Sequence, residues 1–287
     1  MNPVPAPGDA TPLHFERFIN DLAELAMRAR LVVLTGAGVS AASGLPTFRG
    51  PEGWWTTGSH RHRPEELATR AFFARQPRVV WEWYLFRRTT AHRAAPNPAH
   101  RALAELAGLL GARLMLVTQN VDGLHRRAGS PVERTFEIHG NLDFMRCAAA
   151  CQRVLLPVPD SLHPWSERRH LRDDEQRHLT CTSCRGWMRP HVLWFDEYYE
   201  EEWFRSESSL ACMETADTLL VVGTSGATTL PLLMLRRAVE RGIRVLVIDP
   251  ESSPFSEVAG PEATLHLPSA VALPELVARL RAASAGG

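Results

Sequence analysis

The sequence predicts an α/β protein in which a parallel sheet is covered by helices on both faces and interrupted by a smaller inserted lobe. Short apolar runs at 31–34, 114–117, 219–222 and 245–248 read as buried strands. Helical patterns at 15–30, 98–110, 231–241 and 274–282 lie around them. Short buried strands alternating with helices make a parallel sheet with both faces covered. Two stretches break the rhythm. From 44 to about 96 a loop leads into helices with no strand, and from 144 to about 188 a polar, His- and Arg-rich segment holds four of the five cysteines.

Composition bounds the rest. A chain of 287 residues with 45% apolar and 22% charged residues has the core of a soluble globular protein. Lys+Arg and Asp+Glu are both 32, so the formal net charge is +0 and no global field favours a nucleic-acid or membrane partner. The start, MNPVPAPGDATP, lacks a basic region followed by an apolar one, and reads as a frayed tail over 1–14. No apolar run reaches the roughly 20 residues that span a bilayer. The expected location is cytoplasmic. One domain is expected over 15–287, with a core of 15–43, 97–143 and 189–287. A small lobe is expected from a helical insert, 44–96, and a cysteine-bearing insert, 144–188.

The first strand ends in LTGAGVSAASGLPTFRG, residues 34–50. Gly36, Ala37, Gly38 and the three residues after them fit G-x-G-x-x-A, whose glycines let backbone approach a pyrophosphate at a helix start. A nicotinamide dehydrogenase would continue with a short helix, a second strand and a ribose-binding acid about 20 residues on. Here the chain continues as GLPTFRG, which is neither helix nor strand. An ordinary dehydrogenase is therefore disfavoured.

The cysteines form two close pairs, Cys147-AAA-Cys151 and Cys181-TS-Cys184, about 30 residues apart. Two such knuckles can surround one Zn²⁺ with four thiolates, a closed site that folds a lobe and leaves no position for chemistry. Unrelated thiols or a redox pair are the alternatives. Cys212 stands alone in a helical pattern and reads as a packing residue.

Five segments in order now carry a resemblance: TGAGVSAASGLPTFRG, TQNVDGLH at 118–125, IHG at 138–140, the two cysteine pairs, and GTS at 223–225. Over roughly 15–280 the chain resembles the sirtuins, the NAD-consuming protein-lysine deacylases. The resemblance implies a Rossmann-like large domain, a small zinc lobe, and a cleft between them where NAD and an acyl-lysine meet. It also explains the odd loop. NAD is a substrate in that family, and the piece from Gly44 to about Trp55 looks like the loop that reaches over the nicotinamide ribose.

The reaction so implied begins when the acyl oxygen of a modified lysine attacks the ribose carbon and nicotinamide leaves. A base then activates a ribose hydroxyl, and water finally releases lysine and O-acyl-ADP-ribose. His139 matches the base, and an ordinary imidazole pKa near 6.5 suits that task. Asn120 and Asp122 match the residues that orient nicotinamide, and Gln119 one that contacts the ribose. Phe48 matches an aromatic shield over the reacting carbon, and Arg49 an organiser of loop and phosphates. Gly36, Ala37 and Gly38, with Gly223, Thr224 and Ser225, would cradle the phosphates. Asp249, ending the strand over 244–248, would accept hydrogen bonds from ribose hydroxyls. His125 reads as a packed or hydrogen-bonded residue rather than a second base.

Tyr84 and Arg87 are three apart in VVWEWYLFRR and would share a helix face. They resemble the Tyr-x-x-Arg acyl pocket of the desuccinylase-type, class III sirtuins. A guanidinium with a phenol can grip the distal carboxylate of a succinyl, malonyl or glutaryl group. The plainer alternative is that both belong to an amphipathic face. Arg88 is expected on another face, solvated. The chain departs from the family at three places: Asp196 stands where Gly is usual in a Phe-Gly-Glu segment, Asp249 replaces a usual Asn, and Thr228-Thr229-Leu230-Pro231 differs from the usual Val-containing pattern. The expected activity is NAD-dependent removal of acyl groups from protein lysine, with succinyl and malonyl favoured and acetyl acceptable. Mono-ADP-ribosyl transfer and a non-catalytic NAD sensor are the rivals.

Overall fold

A computed structural model of the chain describes residues 11–47 and 63–285. Its strands are β1 (Leu31–Thr35), β2 (Leu114–Thr118), β3 (Thr135–Glu137), β4 (Gly140–Cys147), β5 (Leu156–Pro157), β6 (Met188–Val192), β7 (Thr218–Val222), β8 (Arg244–Ile248) and β9 (Thr264–Leu265). The first helices are α1 (Pro12–Arg28), α2 (Pro64–Leu67), α3 (Arg70–Arg75), α4 (Pro77–Arg93), α5 (Pro98–Leu110), α6 (Leu124–Arg127) and α7 (Asp173–Gln176). After β6 come α8 (Glu201–Phe204), α9 (Ser206–Met213), α10 (Thr229–Arg241), α11 (Pro254–Ala259) and α12 (Ser269–Ala285).

Six strands form one parallel sheet in the order β3-β2-β1-β7-β8-β9. The chain runs outward from β1 to β3, then returns to the other side of β1 and runs outward again. That reversal creates a crevice at the carboxyl ends of β1 and β7, the usual ligand position in such sheets. Alternation along β1 explains the two covered faces. Leu31 and Val33 enter a core shared with α1, α5 and α12, whereas Val32 and Leu34 enter one shared with α9, α10 and α11. The expected parallel α/β sheet is therefore present.

Helix starts follow their capping residues. Thr11 accepts the His14 N–H before Pro12 opens α1, three residues ahead of the start that apolar periodicity gives. Asn97 accepts the N–H groups of Ala99 and His100 at the head of α5. The last helix begins at Ser269 rather than at Pro274, which lies inside it.

A second, antiparallel sheet of β5, β4 and β6 faces α2, α3 and α4 across another apolar core, which contains Trp81, Leu85, Trp165 and Trp194. Strands β4 and β6 straddle the expected borders at 144 and 189. Gly140 is required at the head of β4: its φ is +86°, and a Cβ there would lie 2.0 Å from the His191 carbonyl oxygen. Arg88 corrects an expectation. It is 5% exposed rather than solvated, and its Nε donates to Asp143 Oδ1 at 2.9 Å. Helix α4 is packed on several sides, so the face that periodicity assigns to solvent meets β4 instead.

Candidate active site

The crevice begins where two turns lock together. Gly36 N–H donates to the Val222 carbonyl at 3.1 Å, and Gly38 N–H to the Gly223 carbonyl at 2.9 Å. A Cβ on Gly36 would meet Thr224 Cβ at 2.6 Å, and one on Gly38 would meet Gly223 Cα at 2.8 Å. These glycines thus permit contact between the first turn and the second, with Ala37 between them opening a 3-10 segment, Ala37–Ser43. Thr224 is buried and accepts from Gln119 Nε2 at 2.8 Å, whereas Ser225 is exposed. Asp249 is 8% exposed, and its carboxylate accepts from the backbone N–H groups of Glu251 and Thr224. Burial pushes that carboxyl up.

Beside the turns, Ser40 joins two of the candidate residues. Asn120 Nδ2 donates to Ser40 Oγ at 3.0 Å, and Ser40 Oγ donates to Asp122 Oδ2 at 2.8 Å. The other Asp122 oxygen accepts the Leu124 N–H at 2.8 Å. Burial raises the Asp122 pKa, and those two donors are the first to oppose the rise. His125 is buried against Thr35 Oγ1, with Nε2 at 3.0 Å, as a packed histidine should be.

His139 follows β3 and precedes β4. Its Nδ1 lies 2.9 Å from the Gln119 carbonyl oxygen and its Nε2 2.8 Å from the Tyr199 hydroxyl. A carbonyl only accepts, so Nδ1 carries the proton and Nε2 the lone pair. Burial pushes His139 down to about 4, with the Gln119 bond acting the other way, so the imidazole is neutral at pH 7.

A cavity opens beside Ser40, lined by Ala37, Ser40, Arg87, Asn120, Asp122 and Leu142 among others. Arg87 reaches it from α4, which carries Tyr84 one turn away. Both are buried, and the Arg87 guanidinium carbon lies 4.7 Å from the Trp83 ring centroid and 5.5 Å from that of Tyr84. Burial lowers the Arg87 pKa, while Tyr84 and Asp122 raise it. Tyr84 Oη accepts the Trp194 indole N–H at 2.9 Å, which leaves its own O–H as the group it can offer. Asp196 points elsewhere: its carboxylate accepts the N–H groups of Arg70 and Ala71 at 2.7 and 3.1 Å and so caps α3.

The four cysteines lie in the small lobe, with all sulfurs within 4.8 Å of one another. Sγ separations of 3.3 Å for Cys147–Cys151, 3.5 Å for Cys151–Cys181 and 3.6 Å for Cys147–Cys184 are too long for disulfides. A tetrahedron of thiolates at Zn–S of about 2.3 Å has S···S edges of about 3.8 Å. The set fits one zinc ion. Cys212 is half-buried, with its thiol against the Ser208 carbonyl.

Phe48 and Arg49, with the rest of the expected loop beyond Thr47, lie outside the described residues. Sequence reasoning overlooked Ser40, a variable position of the fingerprint, and Tyr199, which sits in the aperiodic run DEYYEEE. A buried serine between an amide and a carboxylate leaves no periodic signal.

Comparison with known proteins agrees with this geometry. A profile described as the Sir2 family matches residues 36–229. A Leptospira interrogans protein named NAD-dependent protein deacylase is 38% identical over 248 residues, covering 86% of this chain and 92% of that protein. NAD-dependent protein deacylase 1 of Pseudomonas aeruginosa is 41% identical over 256 residues, covering 89% and 96%. The crystal structure of a Sir2 homologue in complex with NAD superposes with a TM-score of 0.76 at 34% identity, covering 92% of this chain and 94% of that one. A crevice of knitted glycine turns, a four-cysteine lobe beside it and likeness over nearly the whole length lead to one assignment: this chain belongs to the Sir2 family.

Proposed function

We propose that this protein removes acyl groups from protein lysine with NAD as co-substrate, and that its pocket favours succinyl and malonyl groups over acetyl. Family membership and the deacylase names of relatives at 38% and 41% identity support the first part. The observation that carries the second is the buried Arg87, which lines the same cavity as Asn120 and Asp122. A cation in low dielectric stabilises a carboxylate brought to it, and a neutral acetyl group gains nothing there.

NAD supplies the leaving group and the ribose that receives the acyl group. The chain supplies position. The turns at Gly36–Gly38 and Gly223–Ser225, which the glycines let lie against each other, offer backbone suited to the phosphates. Asp249 lies at the adenosine side and Gln119 at the ribose. Asn120 and Asp122, tied through Ser40, hold the nicotinamide amide, and Phe48 and Arg49 are assigned the loop roles that the family pattern gives them. His139 takes a hydroxyl proton at Nε2, the atom that bears its lone pair. Tyr84 and Arg87 hold the distal carboxylate of the acyl chain. Cys147, Cys151, Cys181 and Cys184 keep one zinc ion that shapes the small lobe and takes no part in the chemistry.

The test is incubation with NAD and succinyl-, malonyl- or acetyl-lysine peptides, followed by release of nicotinamide and O-acyl-ADP-ribose. Arg87→Met is expected to lose the acidic acyl substrates at least tenfold while keeping acetyl turnover. His139→Ala is expected to lose deacylation by about 10²- to 10⁴-fold while still binding NAD. Equal loss on all acyl groups in Arg87→Met would remove the acid-acyl pocket. Retained ADP-ribose on the target would point to transfer in place of deacylation.

A further inference from the structure

Tyr199 is the group that faces the lone pair of His139. Its ring lies 5.8 Å from the imidazole, centroid to centroid, and its hydroxyl is 2.8 Å from Nε2. Because Nδ1–H is committed to the Gln119 carbonyl, the phenol must be the donor in this bond. The phenolic oxygen also meets the Thr228 hydroxyl and the Leu230 backbone N–H. Thr228 Oγ1 in turn donates to Gln119 Oε1 at 3.0 Å. His139, Gln119, Thr228 and Tyr199 therefore form one cluster in which the phenol's proton goes to His139 and the threonine's to Gln119.

The segment bearing Tyr199 is held on both sides. Leu193 N–H donates to the His139 carbonyl at 2.9 Å, and Glu197 is locked by Arg189, whose Nη2 donates to Oε2 at 2.8 Å. Tyr199 thus comes to His139 on a short tether from the end of β6. Burial pushes the phenol up to about 12, so it remains an O–H donor across the working pH range.

We propose that Tyr199 is a positioning residue for His139: its hydroxyl holds the ring as the Nδ1–H tautomer with Nε2 aimed into the crevice, and yields that lone pair to the ribose hydroxyl of the substrate. The proposal rests on the reading of His139 as the base. A neutral imidazole has one lone pair, and two hydroxyls cannot both use it. The phenol stands where the substrate hydroxyl has to stand and keeps the ring from turning away before it arrives. The groups facing the imidazole are the Gln119 carbonyl and the Tyr199 hydroxyl, with Thr228 and the Leu230 amide behind the phenol, and all are neutral.

Tyr199→Phe keeps the ring and deletes the donor. A donor at Nε2 favours neutral imidazole, so its removal raises the His139 titration midpoint. The expected rise, read by NMR with His139→Ala to assign the resonance, is about half to one pH unit, the size of one neutral hydrogen bond. Deacylation is expected to fall about five- to tenfold, its acid limb moving to higher pH. Exchange of labelled nicotinamide into NAD, which precedes use of the base, should stay within about twofold. An unchanged midpoint with unchanged deacylation overturns the proposal, and so does faster deacylation, which would make the phenol an obstruction. Wild-type protein inert on every acyl peptide, or His139→Ala as active as wild type, defeats the assignment of the base. The NMR midpoint still decides the Tyr199 contact in that case.

Discussion

At the glycine turns, Gly38 N–H reaches the Gly223 carbonyl at 2.9 Å and nothing but backbone builds the contact. In the small lobe, Cys147 and Cys184 bring sulfurs to 3.6 Å across 37 residues of chain, and Arg88 reaches Asp143 across 55. The first region is made by what is missing, a Cβ. The second is made by side chains that meet from distant places. Each glycine turn is marked by a few adjacent residues and tolerates no Cβ, although the two turns lie farther apart in the chain than either side-chain pair, whereas a side-chain contact needs each partner and a cross-link that offsets the loop entropy. The crevice joins the two, since Asn120 and Asp122 follow the sheet while Arg87 comes from α4.

Removal of zinc separates the two regions most visibly. Metal binding to a four-thiolate site contributes on the order of 10 kcal/mol to a small lobe. A chelator strong enough to strip the ion, or Cys181→Ser, is expected to loosen the core around Trp81, Trp165 and Trp194. The parallel sheet, whose cores contain no cysteine ligand, keeps its order. Tryptophan fluorescence should change strongly while far-UV circular dichroism keeps most of its helical signal. Loss of both together would mean that the lobe and the sheet fold as one unit. Retention of both after measured zinc loss would deny the metal a structural role.

Gly38→Ala attacks the other region. The new Cβ would lie 2.8 Å from Gly223 Cα and 3.0 Å from its carbonyl oxygen, both backbone atoms that cannot rotate away. The turns must part, at a cost of about 1–3 kcal/mol. NAD affinity is expected to fall about tenfold to a hundredfold, because a displacement of an ångström spoils a close-fitting site. Calorimetric titration with NAD and a thermal melt read the two effects. Wild-type affinity would show that the dinucleotide does not rest on this turn.

The difference between the regions also explains what could be read in advance. Strands β1, β2, β7 and β8 show as apolar runs because both faces are covered, whereas β3 and β9, of three and two residues, are too short to show any period. Gly36, Gly38 and Gly223 announce their turns locally. The four cysteines announce a metal site through spacing alone. Ser40 does not stand out, since its role depends on Asn120 and Asp122 arriving beside it. Tyr199 is equally silent, because its segment has no regular structure and its partner lies 60 residues earlier. Arg88 was assignable to solvent only while Asp143 was out of view.

Arg87 and Arg88 bring the comparison down to two neighbours on one helix. Arg87 faces the cavity, while Arg88 is tied to Asp143, which also receives His92 Nε2 at 2.5 Å. Asp143 continues by its backbone N–H to Asn141 Oδ1, and Asn141 donates to Glu137 at 2.6 Å, two residues before His139. The tie thus fixes α4 to β4, the strand that starts one residue after the candidate base. Arg88→Met keeps the aliphatic stem and deletes the charge, leaving Asp143 to His92. Asp143 is about a third exposed, so water recovers part of the lost pairing, and the expected cost is about 1–2 kcal/mol in a thermal melt. Activity should separate the neighbours. Arg88→Met is expected to weaken turnover of succinyl-, malonyl- and acetyl-lysine peptides by a similar small factor, because α4 shifts as a body. Arg87→Met should instead change the ratio between acidic and neutral acyl groups. A changed ratio in Arg88→Met with an unchanged melt would move the carboxylate-recognising role from one arginine to the other.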